Sequence, residues 1–152
     1  MAGITSALCT SFKVELLEGD HDFNNGADAF KVALFKANAS ITGTYGAATT
    51  NYSQMTGDSD ELPNGSGYTT GGFALTNVNP TSSGTTAFTD FSANASWSSA
   101  TFTTRGCMIY NTSDGNSAVA VINFGADYSV SGGTFEIQWP TADSSNAIIR
   151  IA

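Results

Sequence analysis

Thr134-Phe135-Glu136-Ile137-Gln138-Trp139 is the stretch that decides the fold class of this chain. Successive side chains of a strand point to opposite faces, so Phe135, Ile137 and Trp139 share one face and Thr134, Glu136 and Gln138 the other. Upstream, residues 118–124 are apolar on both faces except at Asn123, the pattern of a strand covered on both sides. Further short runs of the same character lie at residues 30–35, 73–77, 85–91, 100–104, 107–110 and 147–151. Gly115, Gly125 and the pair Gly132-Gly133 read as the turns between them. Brief strands at this spacing predict an all-β fold, a β-sandwich of jelly-roll or related topology.

One helix is expected. Ile4, Leu8, Phe12 and Leu16 recur every fourth residue, with Cys9 and Leu17 beside the same stripe. Thr5 or Ser6 is placed to cap its start and Gly19 to end it. A single domain over residues 1–152 follows, with a helical segment at 1–20 and the sandwich at 28–152. Asn24-Asn25-Gly26 reads as a turn, and residues 37–53 as a long polar loop with room for a short strand. Thr81-Ser82-Ser83-Gly84-Thr85-Thr86 fits a hairpin loop.

Between the loop and the later strands lies Glu61-Leu62-Pro63-Asn64-Gly65-Ser66-Gly67-Tyr68-Thr69-Thr70-Gly71-Gly72. Its glycines and proline let the backbone turn sharply, and Tyr68 is its one large anchor. It is no phosphate loop: a GxGxxG begun at Gly65 would need glycine at Thr70, and no helix pattern follows.

Composition narrows the function. Charged residues make up 12% of the 152-residue chain, roughly half the share usual for a soluble domain. The net charge is −8, and Lys and Arg together number only 5. Nucleic acids and anionic membranes are bound by neutralising phosphates, so both are disfavoured as partners. No stretch reads as a signal peptide or a membrane span. Cys9 and Cys107 belong to no CxxC pair and read as buried free thiols.

Reactive chemistry is sparse. His21 is the single histidine, and it lies between Asp20 and Asp22 in a stretch that reads as exposed. No Ser or Cys motif gives it a nucleophile to activate. Asp58, Asp60 and Glu61 carry oxygen ligands, but an EF-hand begun at Asp58 would put Leu62 and Pro63 at its fifth and sixth positions. No catalytic residue, metal or cofactor is expected. Trp139 alternates with core positions, whereas Trp97 sits in a Ser-rich stretch and is the better candidate for an exposed ring that stacks on sugars.

Taken together, several segments resemble the small structural proteins of tailed bacteriophages, particularly head decoration (cement) proteins. They are Ser11-Phe12-Lys13 with Leu16-Leu17 and Gly19, then Phe30-Lys31-Val32-Ala33-Leu34, then residues 61–72. Trp97 ahead of Thr103-Thr104-Arg105, Met108-Ile109-Tyr110, Ile122-Asn123-Phe124-Gly125 and residues 135–139 continue the series. The resemblance implies a non-enzymatic virion protein on the capsid exterior, present in the host cytoplasm during assembly. Its implied partners are the major capsid protein and itself, as a dimer or trimer. Phe12, Leu16 and Leu17 on the helix, with Tyr45, Tyr52 and Tyr68 in the loops, are the candidate contact residues. The alternative is a tail or receptor-binding component that holds glycans through Trp97.

Overall fold

A computed structural model describes residues 2–152 and is built mostly of strand. In chain order it runs β1 (Gly3–Ile4), β2 (Ala7–Leu8), α1 (Thr10–Glu18), β3 (Phe30–Leu34), a 3-10 turn (Asn38–Ser40), β4 (Thr44–Tyr45) and α2 (Tyr52–Gly57). Then follow β5 (Phe73–Ala74), β6 (Thr81–Ser83), β7 (Thr86–Thr89), β8 (Ala95–Asn111), β9 (Ser117–Ile137) and β10 (Ile149–Ile151). Three sheets result. The largest has the order β2-β9-β8-β3-β5, the second β10-β7-β6, and β1 pairs in parallel with β4.

The antiparallel hairpin of β8 and β9 is the spine. Four separate runs in the sequence merge into these two strands, because the glycines between them kink the ladder without ending it. Between the pairs Thr104–Tyr128 and Gly106–Asn123, β8 has only Arg105 while β9 has residues 124–127. Gly125 supplies the positive φ, 83°, that this excursion needs. Gly132, at φ 63°, is likewise an extra residue between the pairs Ala100–Gly133 and Thr101–Ser131. Only Gly115 of the three expected turn sites marks a reversal, at the hairpin tip.

The core lies where β3, β8 and β9 meet under α1 and α2. Phe12, Phe30, Leu34, Phe35, Met55, Met108, Ile109, Val119 and Val121 are all buried there. Gly72 shows how closely the chain is laid down: at φ +80° a Cβ there would drive into the Val32 carbonyl.

The N-terminal segment differs from expectation. Ile4 and Leu8 lie in strands, and the helix begins only at Thr10, with Cys9 as an N-cap whose side chain makes no capping bond. Gly19 does end it, at φ 89°. The fourfold spacing persists across three elements because Ile4, Leu8 and Phe12 all pack inward for separate reasons. The expectation of a single N-terminal helix is also corrected: α2 begins at Tyr52, within the end of the stretch read as a loop. Its start is a capping box, in which Asn51 Oδ1 accepts from the Ser53 N–H and Gln54 Oε1 accepts from the Asn51 N–H.

Candidate functional site

The glycine-rich segment is anchored by one carboxylate. The Leu62 N–H donates to the Leu34 carbonyl at 2.9 Å, which lays the start of the segment against β3. That places Glu61 beneath the segment. Its Oε1 accepts from the Tyr68 hydroxyl and the Gly71 N–H, both at 2.7 Å, and its Oε2 from the Tyr52 hydroxyl at 2.5 Å. The Tyr68 oxygen accepts in turn from the Leu34 N–H at 3.0 Å. Tyr110 closes the far side by donating to the Gly71 carbonyl at 2.6 Å, and its ring stacks on Tyr52 at 4.2 Å. Burial, and then Glu61, raise all three phenols, Tyr110 to about 12. They therefore stay protonated as donors and hold the segment in place.

Asp60 organises a second network on the other side of the chain. Its carboxylate accepts from the Thr42 N–H, the Gly43 N–H at 2.7 Å and the Tyr45 hydroxyl at 2.8 Å. Burial raises its pKa, but these hydrogen bonds outweigh burial and hold the carboxyl below its usual range. Tyr45 also donates to Asp58 at 2.9 Å. Asp60 and Glu61 are neighbours in sequence, yet they serve opposite sides of the backbone. Asp58, Asp60 and Glu61 consequently do not converge on a shared ion position, as alternation along an extended chain requires.

These networks place the expected contact residues. Tyr45 and Tyr68 are buried and engaged within the chain, Tyr52 is half-buried, and their hydroxyls face internal carboxylates. A role for Tyr45 and Tyr68 as outward contacts is thereby corrected. On α1 the three positions divide. Phe12 is buried against Phe23 and His21, Leu16 is half-buried, and Leu17 is 88% exposed with Val14 also exposed beside it.

Two other expectations are overturned. His21 is buried, since its ring lies among Phe12, Phe23 and Phe30 while the flanking aspartates face solvent. The Asn111 Oδ1 atom accepts from the Ser113 and Asp114 N–H groups, which fixes the amide so that its Nδ2 donates to His21 Nδ1 at 3.0 Å. The neutral ring then carries its hydrogen on Nε2, which donates to Glu15 at 2.9 Å. Glu15, His21 and Asp114 bring ligand-type atoms within 4.8 Å of one another. Glu15, His21 and Asn111 tie α1 to the hairpin tip, and with the nitrogen that faces Glu15 protonated the imidazole turns no lone pair toward the two carboxylates.

Trp97, expected as the exposed ring, is only 6% exposed and packs between Tyr68, Phe73 and Phe135. Trp139 is half-buried, and its indole N–H donates to the Ala93 carbonyl at 2.9 Å. Both cysteines are free and buried. Burial, with Glu15 second, raises the Cys9 thiol to about 11, and burial raises Cys107 as well, so neither is a ready thiolate.

What remains outside includes two largely apolar hollows. A groove of about 380 Å³ runs beside the outer half of β9, lined by Phe124, Tyr128, Phe135, Ile137, Trp139 and Ile148 among others. A smaller apolar hollow joins Leu16 and Phe23 to Phe88 and Ile151. Sequence reading missed the groove, although the alternation of Phe135, Ile137 and Trp139 was its visible half. No helix among the described residues is long and apolar enough to cross a membrane. The chain matches no family model, no curated protein and no solved structure.

Proposed function

We propose that this chain is a non-enzymatic structural protein of a tailed-phage virion, a decoration protein that binds the outer face of the major capsid protein lattice. The observation that supports this most is where the chemistry sits. The histidine, both thiols and the tyrosine–carboxylate pairs are committed to internal bonds or burial, while apolar side chains stand outside at Leu17, Val14, Tyr128 and Ile151. Such a surface suits adhesion. The serial likeness of its segments to decoration proteins supplies the shell as the surface to which it adheres.

In this reading the two larger sheets are the layers of a β-sandwich of jelly-roll or related topology, and the protein acts as a homo-oligomer. Each copy spans neighbouring capsid subunits, so opening the shell also breaks its contacts. Interfaces of ordinary size, roughly 1,200–2,000 Å², gain greatly when repeated over a closed lattice. The test is to strip the protein from particles, heat them, and add it back. Stripped heads are expected to open at a lower temperature and recover on re-addition; equal heat resistance with and without the protein would refute the role.

A further inference from the structure

We infer that the outer edge of β9 is an acceptor site for an added strand, and that it takes an extended segment of another protein in which apolar residues alternate with Lys or Arg. The strand is the first ground. On the side away from β8, β2 pairs with β9 at Ala120 and Val121 and Asn51 bridges to Ser117; among the described residues no strand pairs with that side from Phe124 to Ile137. Exposed edges of this length are usually protected by lysine, proline, a bulge or a cover, and β9 carries bulges at Gly125 and Gly132. Residues 124–137 contain neither lysine nor proline. Asp127, one of the two charges there, is already engaged by the Asn38 N–H at 2.9 Å and by Arg105 at 3.8 Å.

The groove is the second ground. Phe135, Glu136 and Ile137 at the end of β9 all line it, although consecutive strand side chains point to opposite faces, and residues 138–140 just past the strand line it too. A hollow touched by all of them runs along the edge of the strand, where an added strand would lie. Its rings and isoleucines offer pockets for alternate side chains, and the bare backbone offers hydrogen bonds.

Area and charge choose the occupant. Among the four aromatic rings only Tyr128 is more than half exposed, at 51%. At about 150–250 Å² for a whole aromatic side chain, these rings offer roughly 300 Å² to a visitor. As apolar contact that is less than half of the about 800 Å² per partner of a stable interface between folded proteins, and it suits a slender segment. A second copy would also bring another −8 of net charge. Glu136, exposed, is the one charged residue that lines the groove, and it suits a cationic segment. The strand and groove stand on their own; only the placing of the donor segment on a capsid shell rests on the function proposed above.

The test is selection of the full-length protein against a display library of random extended segments, followed by hydrogen exchange with the best binder. Enrichment of sequences that alternate apolar residues with Lys or Arg, slowing exchange across residues 124–137, is the expected result. Glu136→Lys should weaken that binder about fivefold, and Tyr128→Ser about tenfold. The inference is overturned by no enrichment, by protection elsewhere, or by protection that rises with protein concentration alone, which would make a second copy the occupant. Cosedimentation with stripped heads is scored separately. Variants that bind heads as well as the parent, while the library result fails, would sink the edge and spare the shell.

Discussion

The two halves of the β8–β9 hairpin are made of the same strands and live in different worlds. Toward the tip, Cys107, Met108 and Ile109 on β8 and Ala118, Val119, Ala120 and Val121 on β9 are buried on both faces, flanked by β3 and β2. Beyond Arg105 the flanking strands stop, bulges at Gly125 and Gly132 bend the ladder, and most of β9 from Gly125 to Glu136 is exposed. Pairing continues through both halves, but three register shifts fall between Trp97 and Gly106 and only one, at Ile109/Tyr110, toward the tip. The difference is cover: in the inner half, toward the tip, both strands are buried, whereas in the outer half β8 keeps Ala95, Trp97, Ala100 and Thr104 buried and β9 alone is the surface.

If that division holds, substitutions should rank by position along one hairpin. Ile109→Ala, in the inner half, removes fully buried methyl groups and should cost about 2–5 kcal/mol. A shift in denaturant midpoint at unchanged slope reads it; a loss below about 1 kcal/mol would erase the contrast. Next comes Glu61→Gln, whose amide presents donors to groups that are themselves donors. It should cost about 1–3 kcal/mol, because the amide keeps one acceptor oxygen and turns its NH2 toward either Tyr52 or the Tyr68 and Gly71 donors, which lose their acceptor. Gly132→Ala tests the bend in the outer half. A Cβ there meets nothing within 4 Å, so only the positive φ is penalised, by about 1 kcal/mol.

Two carboxylates give smaller effects of opposite sign. Asp60 has its pKa lowered on folding, so its contribution is present above the unfolded value of about 4 and is lost as pH falls through the folded one. Asp90 is raised by burial, which outweighs its bonds from the Phe91 and Ile148 N–H groups. Its contribution is full below the unfolded value of about 4 and is lost as pH rises through the higher folded value. Stability measured against pH should therefore show a shallower acid limb in Asp60→Asn, and in Asp90→Asn a smaller decline just above pH ~4. Parallel curves for parent and variants would remove the assignment.

How much of this was legible follows from what a linear pattern records. Strand character at residues 134–139 and 118–124 was plain, because alternation and burial leave a local trace. That Gly125 and Gly132 bulge a continuous ladder was not, since the same residue serves a turn and a bulge and the choice depends on what pairs opposite. Trp97 looked exposed among serines, but Phe73 and Phe135 close over it from distant parts of the chain. His21 looked solvated between aspartates for the same reason; its cover comes from Phe12 and Phe30. The α2 start, by contrast, was written locally in Asn51 and Gln54, and a search for caps alone would have found it.

The smallest expected effect is the most telling. Tyr128→Ser removes a half-exposed ring from the outer half, where it meets Phe124 edge-on at 6.1 Å and otherwise faces solvent. Its cost in stability should stay within about 0.5 kcal/mol, as for exposed positions in general. The same substitution should weaken the binding of an added strand, which makes it a variant that folds like the parent and adheres less. Were Tyr128→Ser to destabilise as Ile109→Ala does, the outer half would be core under another name, and the hairpin would have no surface to spare for a partner.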